Sequence, residues 1–153
     1  MLVQSGHLRE AIEHTQRAKA PCTVLMLDLD RFKHVNDVLG YAFGDQLLKA
    51  VADRLSTHIT PDVGTVARLG GDEFVILMPE TNMEHARQLA SKLRGWVSAD
   101  PLLREKNITG SFGIASFPVH GATPQELIQV ADASMYLSKH QGGNAVSTAD
   151  RFD

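Results

Sequence analysis

Cys22 is the only cysteine in the 153-residue chain, so no disulfide can form within it and stability has to come from packing. Excess positive charge is missing as well: 15 Lys and Arg stand against 18 Asp and Glu, a formal net charge of −3. The basic footprint of a general nucleic-acid binder is therefore absent, and neither DNA nor RNA is expected as a partner. A nucleotide ligand stays open, because a metal ion can offset phosphate charge locally. No apolar run approaches the length of about 18 residues that a membrane-spanning helix needs, so no membrane contact is expected within this chain. No signal-peptide pattern opens it. With the lone cysteine, these absences point to a reducing, cytoplasmic setting, even for a parent protein anchored in a membrane. Internal repeats and low-complexity stretches are lacking too.

What is present suits a single globular domain with a substantial core: 43% of residues are apolar and 22% charged. Residues 7–19 read as a polar-faced helix with Leu8, Ile12 and Thr15 on one side, ended by Pro21. "CTVLMLDLD" reads as a strand long enough in apolar residues to be buried on both faces, and it runs straight into Asp28 and Asp30. "FKHVNDVLG" is a short helix stopped by Gly40. From about Gly44, the spacing of Leu48, Val51, Leu55 and Ile59 predicts an amphipathic helix.

"GTVARLGGDEFVILMP" then reads as two strands joined by a Gly-Gly-Asp-Glu turn. "TNME" (81–84) has the capping-box pattern at the start of a helix carrying Leu89, Leu93 and Val97. "NITGSFGIASFP" is a further strand. "TPQE" (123–126) opens a last helix whose buried side holds Leu127, Ala131 and Met135. The tail after Gly142 supplies a short edge strand. The order β-α-α-β-β-α-β-α-β places a hairpin inside an alternating pattern. That excludes a purely parallel sheet and predicts an α+β fold: a mixed, mainly antiparallel sheet flanked by helices, of the ferredoxin-like kind.

The acids sit at strand ends. Asp28 and Asp30 share a face if the strand runs on through Asp30; if it stops earlier, one of them turns to solvent. Asp72 and Glu73 stand at the hairpin tip. Should the first strand and the hairpin be neighbours, these carboxylates converge, and three or four of them cannot all stay ionised without a cation. Hard oxygen donors suit Mg²⁺, which typically takes one or two carboxylates together with water and substrate phosphate. Gly70 and Gly71 allow the positive φ of a tight hairpin and let a ligand approach the backbone. A plain solvated hairpin remains the alternative on these residues alone.

"GGDEF" at Gly70–Phe74 resembles the signature of the GGDEF-domain diguanylate cyclases. "DLDRFKHVND" (28–37), "LGYAFGDQLL" (39–48), "ITGSFGIASFP" (108–118) and "ADASMYLSKHQGGN" (131–144) are similar to its other conserved segments, in the same order. The resemblance implies a palm-like sheet of the kind found in nucleotide cyclases and polymerases. It implies one domain over residues 1–153, with its core at about 22–146, forming the C-terminal catalytic part of a larger signalling protein. The activity implied is condensation of two GTP into the bacterial second messenger cyclic di-GMP, with pyrophosphate released.

Carried over residue by residue, Asp28, Asp72 and the Leu29 backbone carbonyl would hold Mg²⁺ (or Mn²⁺), two ions per pair of half-sites. Glu73 would join them as a ligand or neighbouring acid, and Asp72 would act on the attacking hydroxyl. Asn36 and Asp45 would read the guanine edge, with Tyr41 near the base. Backbone N–H groups of Arg31, Phe32 and Lys33 would cradle the phosphates, and Lys139 would reach them. Alone, Asn36, Asp45 and Lys139 would read as ordinary helix-surface residues. Each domain would bind one GTP, so a transient homodimer is implied.

Four positions depart from the family pattern. The product-inhibition motif Arg-x-x-Asp is replaced by "PDVG" (61–64), and Gly143 stands where a phosphate-contacting arginine is usual. The opening "LVQSGHLRE" does not match the usual start, and Tyr41 replaces a frequent histidine. These departures keep a second reading open: a weakly active or inactive domain that binds GTP or cyclic di-GMP as a regulatory module.

Overall fold

The computed structural model describes residues 5–17 and 20–148. Helix α1 (Ser5–Arg17) leads into β1 (Cys22–Leu29), then α2 (Phe32–Leu39), α3 (Tyr41–His58), the hairpin β2 (Thr65–Gly70) and β3 (Glu73–Pro79), α4 (Met83–Ala99), α5 (Pro101–Glu105), β4 (Gly110–Phe117), α6 (Pro124–His140) and β5 (Ala145–Thr148). The strands form one sheet in the order β2-β3-β1-β4-β5. β1 is the middle strand, antiparallel to β3 on one side and β4 on the other, and only β4–β5 is parallel. This is the mixed, mainly antiparallel sheet that the hairpin predicted.

Alternation along β1 sorts the core. Leu25, Leu27 and Leu29 face one way, with Phe74, Ile76, Phe112 and Ile114, and are covered by Leu47, Val51 and Leu55 of α3 and Leu93 and Val97 of α4. Val24 and Met26 face the other way, with Val75, Leu77 and Ala115, under Ile12 of α1 and Leu127, Ala131 and Met135 of α6. Because side chains alternate, Asp28 continues the Val24–Met26 row and points to the α6 side. Its register partners are Glu73 on β3 and Ser111 on β4. The central strand thus carries its acid to the sheet rim already flanked by a second acid and a hydroxyl. Truncating a side chain such as Leu27 beneath it would cost about 2–5 kcal/mol.

Local structure departs from the sequence reading in four places. α3 starts at Tyr41, not near Gly44, because Gly40 alone (φ 91°) separates it from α2: its N–H donates to the Asn36 carbonyl and its own carbonyl accepts from Gly44 N. The α4 cap is Asn82, whose side chain accepts from His85 N at 2.9 Å, while Thr81 turns its hydroxyl to the Pro79 carbonyl. α5 went unpredicted, although Asp100 capping Leu102 N and Leu103 N ahead of Pro101 is a clear helix start. β1 ends at Leu29, and Asp30 turns inward rather than to solvent, 6% exposed. The α6 cap forms as predicted, with Thr123 Oγ1 accepting from Glu126 N. Of the predicted 7–19 helix, residues 18 and 19 and the side chains of Leu8 and Thr15 lie outside what is described.

Candidate active site

Three pieces of chain meet at one end of β1: the end of β1 itself, the β2–β3 hairpin tip, and the C-terminal part of α6. The hairpin turns through Gly71 and Asp72, with Gly70 and Gly71 at φ 146° and 50°. Arg68 braces this turn from within, Nε donating to the Gly71 carbonyl at 2.8 Å. Nothing in the sequence pattern marked that contact, because it depends on where the turn folds back.

Asp28 is the half-buried acid at the end of β1. Burial first, and then the nearby Asp72 carboxyl, push it up from 3.8 to about 7, while Lys139 pulls the other way. Lys139 Nζ lies 3.2 Å from Asp28 Oδ2. Asp28 Oδ1 is buried with no hydrogen-bond partner, a costly state for a carboxylate oxygen unless a cation reaches it. Glu73 is also raised, by burial first, then by the charges of Asp132 and Asp72, against Lys139. Among the described residues, no three acidic, histidine or cysteine side chains gather closely enough to hold a metal by themselves. The expected convergence therefore appears as the Asp28–Asp72 pair with Glu73 alongside. Two carboxylates, one with an orphaned oxygen, fit Mg²⁺, which leaves most of its positions to water and phosphate.

Beside the acids runs a cleft of about 310 Å³ lined by Phe32, Lys33, Asn36, Tyr41, Gly71 and Asp72, among others. Its volume is at the lower end for small-molecule sites. Asn36 Oδ1 is buried without a partner. It packs over Gly44, where a Cβ would fall 1.8 Å from that oxygen, so glycine is what gives the asparagine its place. Asp45 is exposed on α3, just past its first turn, and Tyr41 is 75% exposed at the cleft's rim. Arg31 precedes α2 in a left-handed conformation (φ 63°) with no side-chain cap. The first-turn N–H groups of α2 are left for water or a ligand. The Arg31 side chain leaves the cleft, its Nε donating to the Asn107 carbonyl at 2.8 Å. Of the residues singled out in the sequence, Asn36, Tyr41, Phe32, Lys33, Gly71 and Asp72 lie along one cleft, and Glu73 and Lys139 lie beside the adjoining Asp28. Asp45 does not line the cleft.

The family model described as "Diguanylate cyclase, GGDEF domain" matches residues 4–145. The chain is 42% identical, over 94% of its length, to the bifunctional diguanylate cyclase/cyclic di-GMP phosphodiesterase MucR of Pseudomonas aeruginosa, and 34% identical, over 93%, to the response regulator PleD of Caulobacter vibrioides. It spans 21% and 32% of the length of these two relatives. Its fold superposes on the crystal structure of the GGDEF domain of TpbB (YfiN) from Pseudomonas aeruginosa with a TM-score of 0.87, at 31% identity and 96% coverage of both chains. For the GGDEF domain of DgcB from Caulobacter crescentus, crystallised with c-di-GMP, the values are 0.84 and 29%, covering 97% of this chain and 92% of that one. The chain belongs to the GGDEF family of diguanylate cyclase domains.

Proposed function

We propose that this domain condenses two GTP molecules into cyclic di-GMP, as the catalytic portion of a larger signalling protein. The observation that carries the reading is the Asp28–Asp72 pair with its orphaned oxygen, opening onto the cleft of Asn36 and the α2 N-terminus. Asp28, Asp72 and the Leu29 carbonyl would hold Mg²⁺ or Mn²⁺, with Glu73 as a further acid. Such an ion supplies charge neutralisation at phosphate and makes a nearby hydroxyl more acidic.

The chain's own residues do the rest. Asn36 in the cleft, and Asp45 on α3 beyond its lining, present acceptors to the guanine N1–H and amino group, which adenine cannot offer in that arrangement. The uncapped N–H groups at the start of α2 take the terminal phosphates, with Lys139 as the balancing cation. Asp72 accepts the proton as the 3′-hydroxyl of one GTP attacks the α-phosphate of the other, and the reciprocal attack closes the ring; one pyrophosphate leaves at each step. Each domain supplies half a site, so two copies must face each other through their hairpins, and turnover should rise steeply with protein concentration.

Concentrated or artificially dimerised protein, given GTP and Mg²⁺, is expected to make cyclic di-GMP, and Asp72→Ala to lose turnover while still binding GTP. No product from the parent, at any concentration, would leave the second reading: a nucleotide-binding regulatory domain. That reading draws support from Gly143, which cannot provide the family's arginine contact.

A further inference from the structure

Asp30 belongs to none of the roles above, yet it is the most fully engaged side chain near the site. It is 6% exposed, and all its acceptor positions are taken. Oδ1 accepts from Ser111 Oγ at 2.7 Å and Lys139 Nζ at 3.4 Å. Oδ2 accepts from Thr109 Oγ1 at 2.6 Å and the Asn144 backbone N–H at 2.9 Å. A carboxylate offers about four lone-pair sites, so none is left over. These donors come from the lead into β4, from β4 itself, from α6 and from the turn before β5.

That turn is unusual in itself. Gly142, Gly143 and Asn144 take φ values of 107°, 77° and 50° in succession. A Cβ on Gly143 would lie 2.7 Å from Asp30 Oδ2. The glycine that replaces the family's arginine is therefore fitted to the carboxylate beneath it: the turn closes over Asp30, and Asn144 N–H drops onto it.

Lys139 is shared between two acids of different standing. Asp28 has an orphaned oxygen and the neighbouring Asp72, and is the acid a metal would claim. Asp30 has no free position for a metal. We propose that Asp30 is a positioning residue that anchors Lys139 and the Gly142–Asn144 turn beside the nucleotide phosphates, keeping Lys139 in place when Asp28 turns to a metal ion. This rests on the cyclase reading. Asparagine stands in poorly for Asp30, because either orientation of its amide turns an NH₂ toward a group that cannot accept, the Lys139 ammonium or the Asn144 backbone N–H.

The experiment has two arms. Hydrogen exchange on the nucleotide-free protein reads the turn directly: Asp30→Asn is expected to speed exchange at the Asn144 amide while the β1 and β3 amides stay protected. Calorimetry with GTP and Mg²⁺ reads the consequence. Asp30→Asn should weaken binding about tenfold, the size of a lost charge-assisted contact, and adding Lys139→Met to it should cost little more. Gly143→Ala, which presses on Oδ2 from outside the core, should reproduce both effects if Asp30→Asn folds poorly. An unchanged Asn144 amide, or losses from Asp30 and Lys139 that simply multiply, overturns the proposal. Absence of GTP binding in the parent instead sinks the cyclase reading, and the exchange arm still reports on the anchor.

Discussion

Lys139 Nζ stands 3.2 Å from Asp28 Oδ2, so the half-buried acid at the end of the central strand already faces a cation before any ligand arrives. One amine does not balance it. Asp28 is still pushed up to about 7, because burial and the neighbouring Asp72 outweigh Lys139.

Stability should therefore fall as pH rises in the metal-free protein. Below about 3.8, folded and unfolded chains both hold the Asp28 proton; between there and about 7, only the folded chain does. The folded state binds more protons across that window, so its advantage is lost as pH climbs through it. Asp28→Asn should raise the melting temperature at pH 8, by about 1–3 kcal/mol of stability, and flatten the pH dependence. Thermal melts of both proteins from pH 5 to 8, with chelator and then with Mg²⁺, check this. Mg²⁺ should stabilise only the parent, and more strongly at the higher pH.

Asn36 depends on Gly44, and the dependence is measurable. Its buried Oδ1 has no partner in the protein, as expected of an acceptor waiting for a ligand donor. Asn36→Ala should weaken GTP binding by about tenfold while leaving the fold intact. Gly44→Ala drives a methyl into that oxygen, and should weaken GTP binding comparably while also costing about 1–3 kcal/mol of stability. Titration with GTP and a denaturant series separate the two effects. Equal stability in Gly44→Ala and the parent would show that Asn36 moves freely.

How much of this could be read from the sequence follows from the range of the signals. Strand β1, the β2–β3 hairpin and α6 were legible because buried runs, paired glycines and a Thr-Pro-x-Glu start are local patterns. The family motifs named several of the residues that line the cleft, Asn36, Tyr41 and Gly71 among them, without showing that they meet. Starts that hang on a single residue were not legible: Gly40 sets where α3 begins, and Asn82 displaces Thr81 as the α4 cap. Asp30 was the larger miss. Its four donors lie 79 to 114 residues away in the chain, and no local pattern distinguishes such an acid from a solvated one at a strand end.

Arg68 should matter to turnover more than to binding. Its Nε holds the Gly71 carbonyl at 2.8 Å, which fixes the tip that carries Asp72. Arg68→Ala would leave Asn36 and the α2 N-terminus untouched, so GTP affinity should stay within about twofold. Misplacing a reacting group by about 1 Å can cost on the order of 100-fold in rate, and a kcat loss of that order is expected. Arg68→Lys should recover part of it. A KM rise with kcat unchanged would place Arg68 on the nucleotide instead of behind the hairpin.

Product inhibition of the usual family kind should be absent, and two substitutions should not restore it. The segment that aligns with Arg-x-x-Asp is Pro61 to Gly64. Gly64 packs against β3 so closely that a Cβ would sit 2.5 Å from the Leu77 carbonyl oxygen. Backbone on backbone leaves no flexible neighbour to give way. Pro61→Arg with Gly64→Asp should therefore lower stability, by about 1–3 kcal/mol, and still leave product without effect at that segment. A denaturant series checks the first claim, and progress curves with added cyclic di-GMP the second. In the parent, any inhibition should be competitive with GTP, because the guanine-reading cleft is where product is expected to bind. In the double variant the inhibition pattern should be the same. Non-competitive inhibition in the parent would reveal a product site away from the cleft.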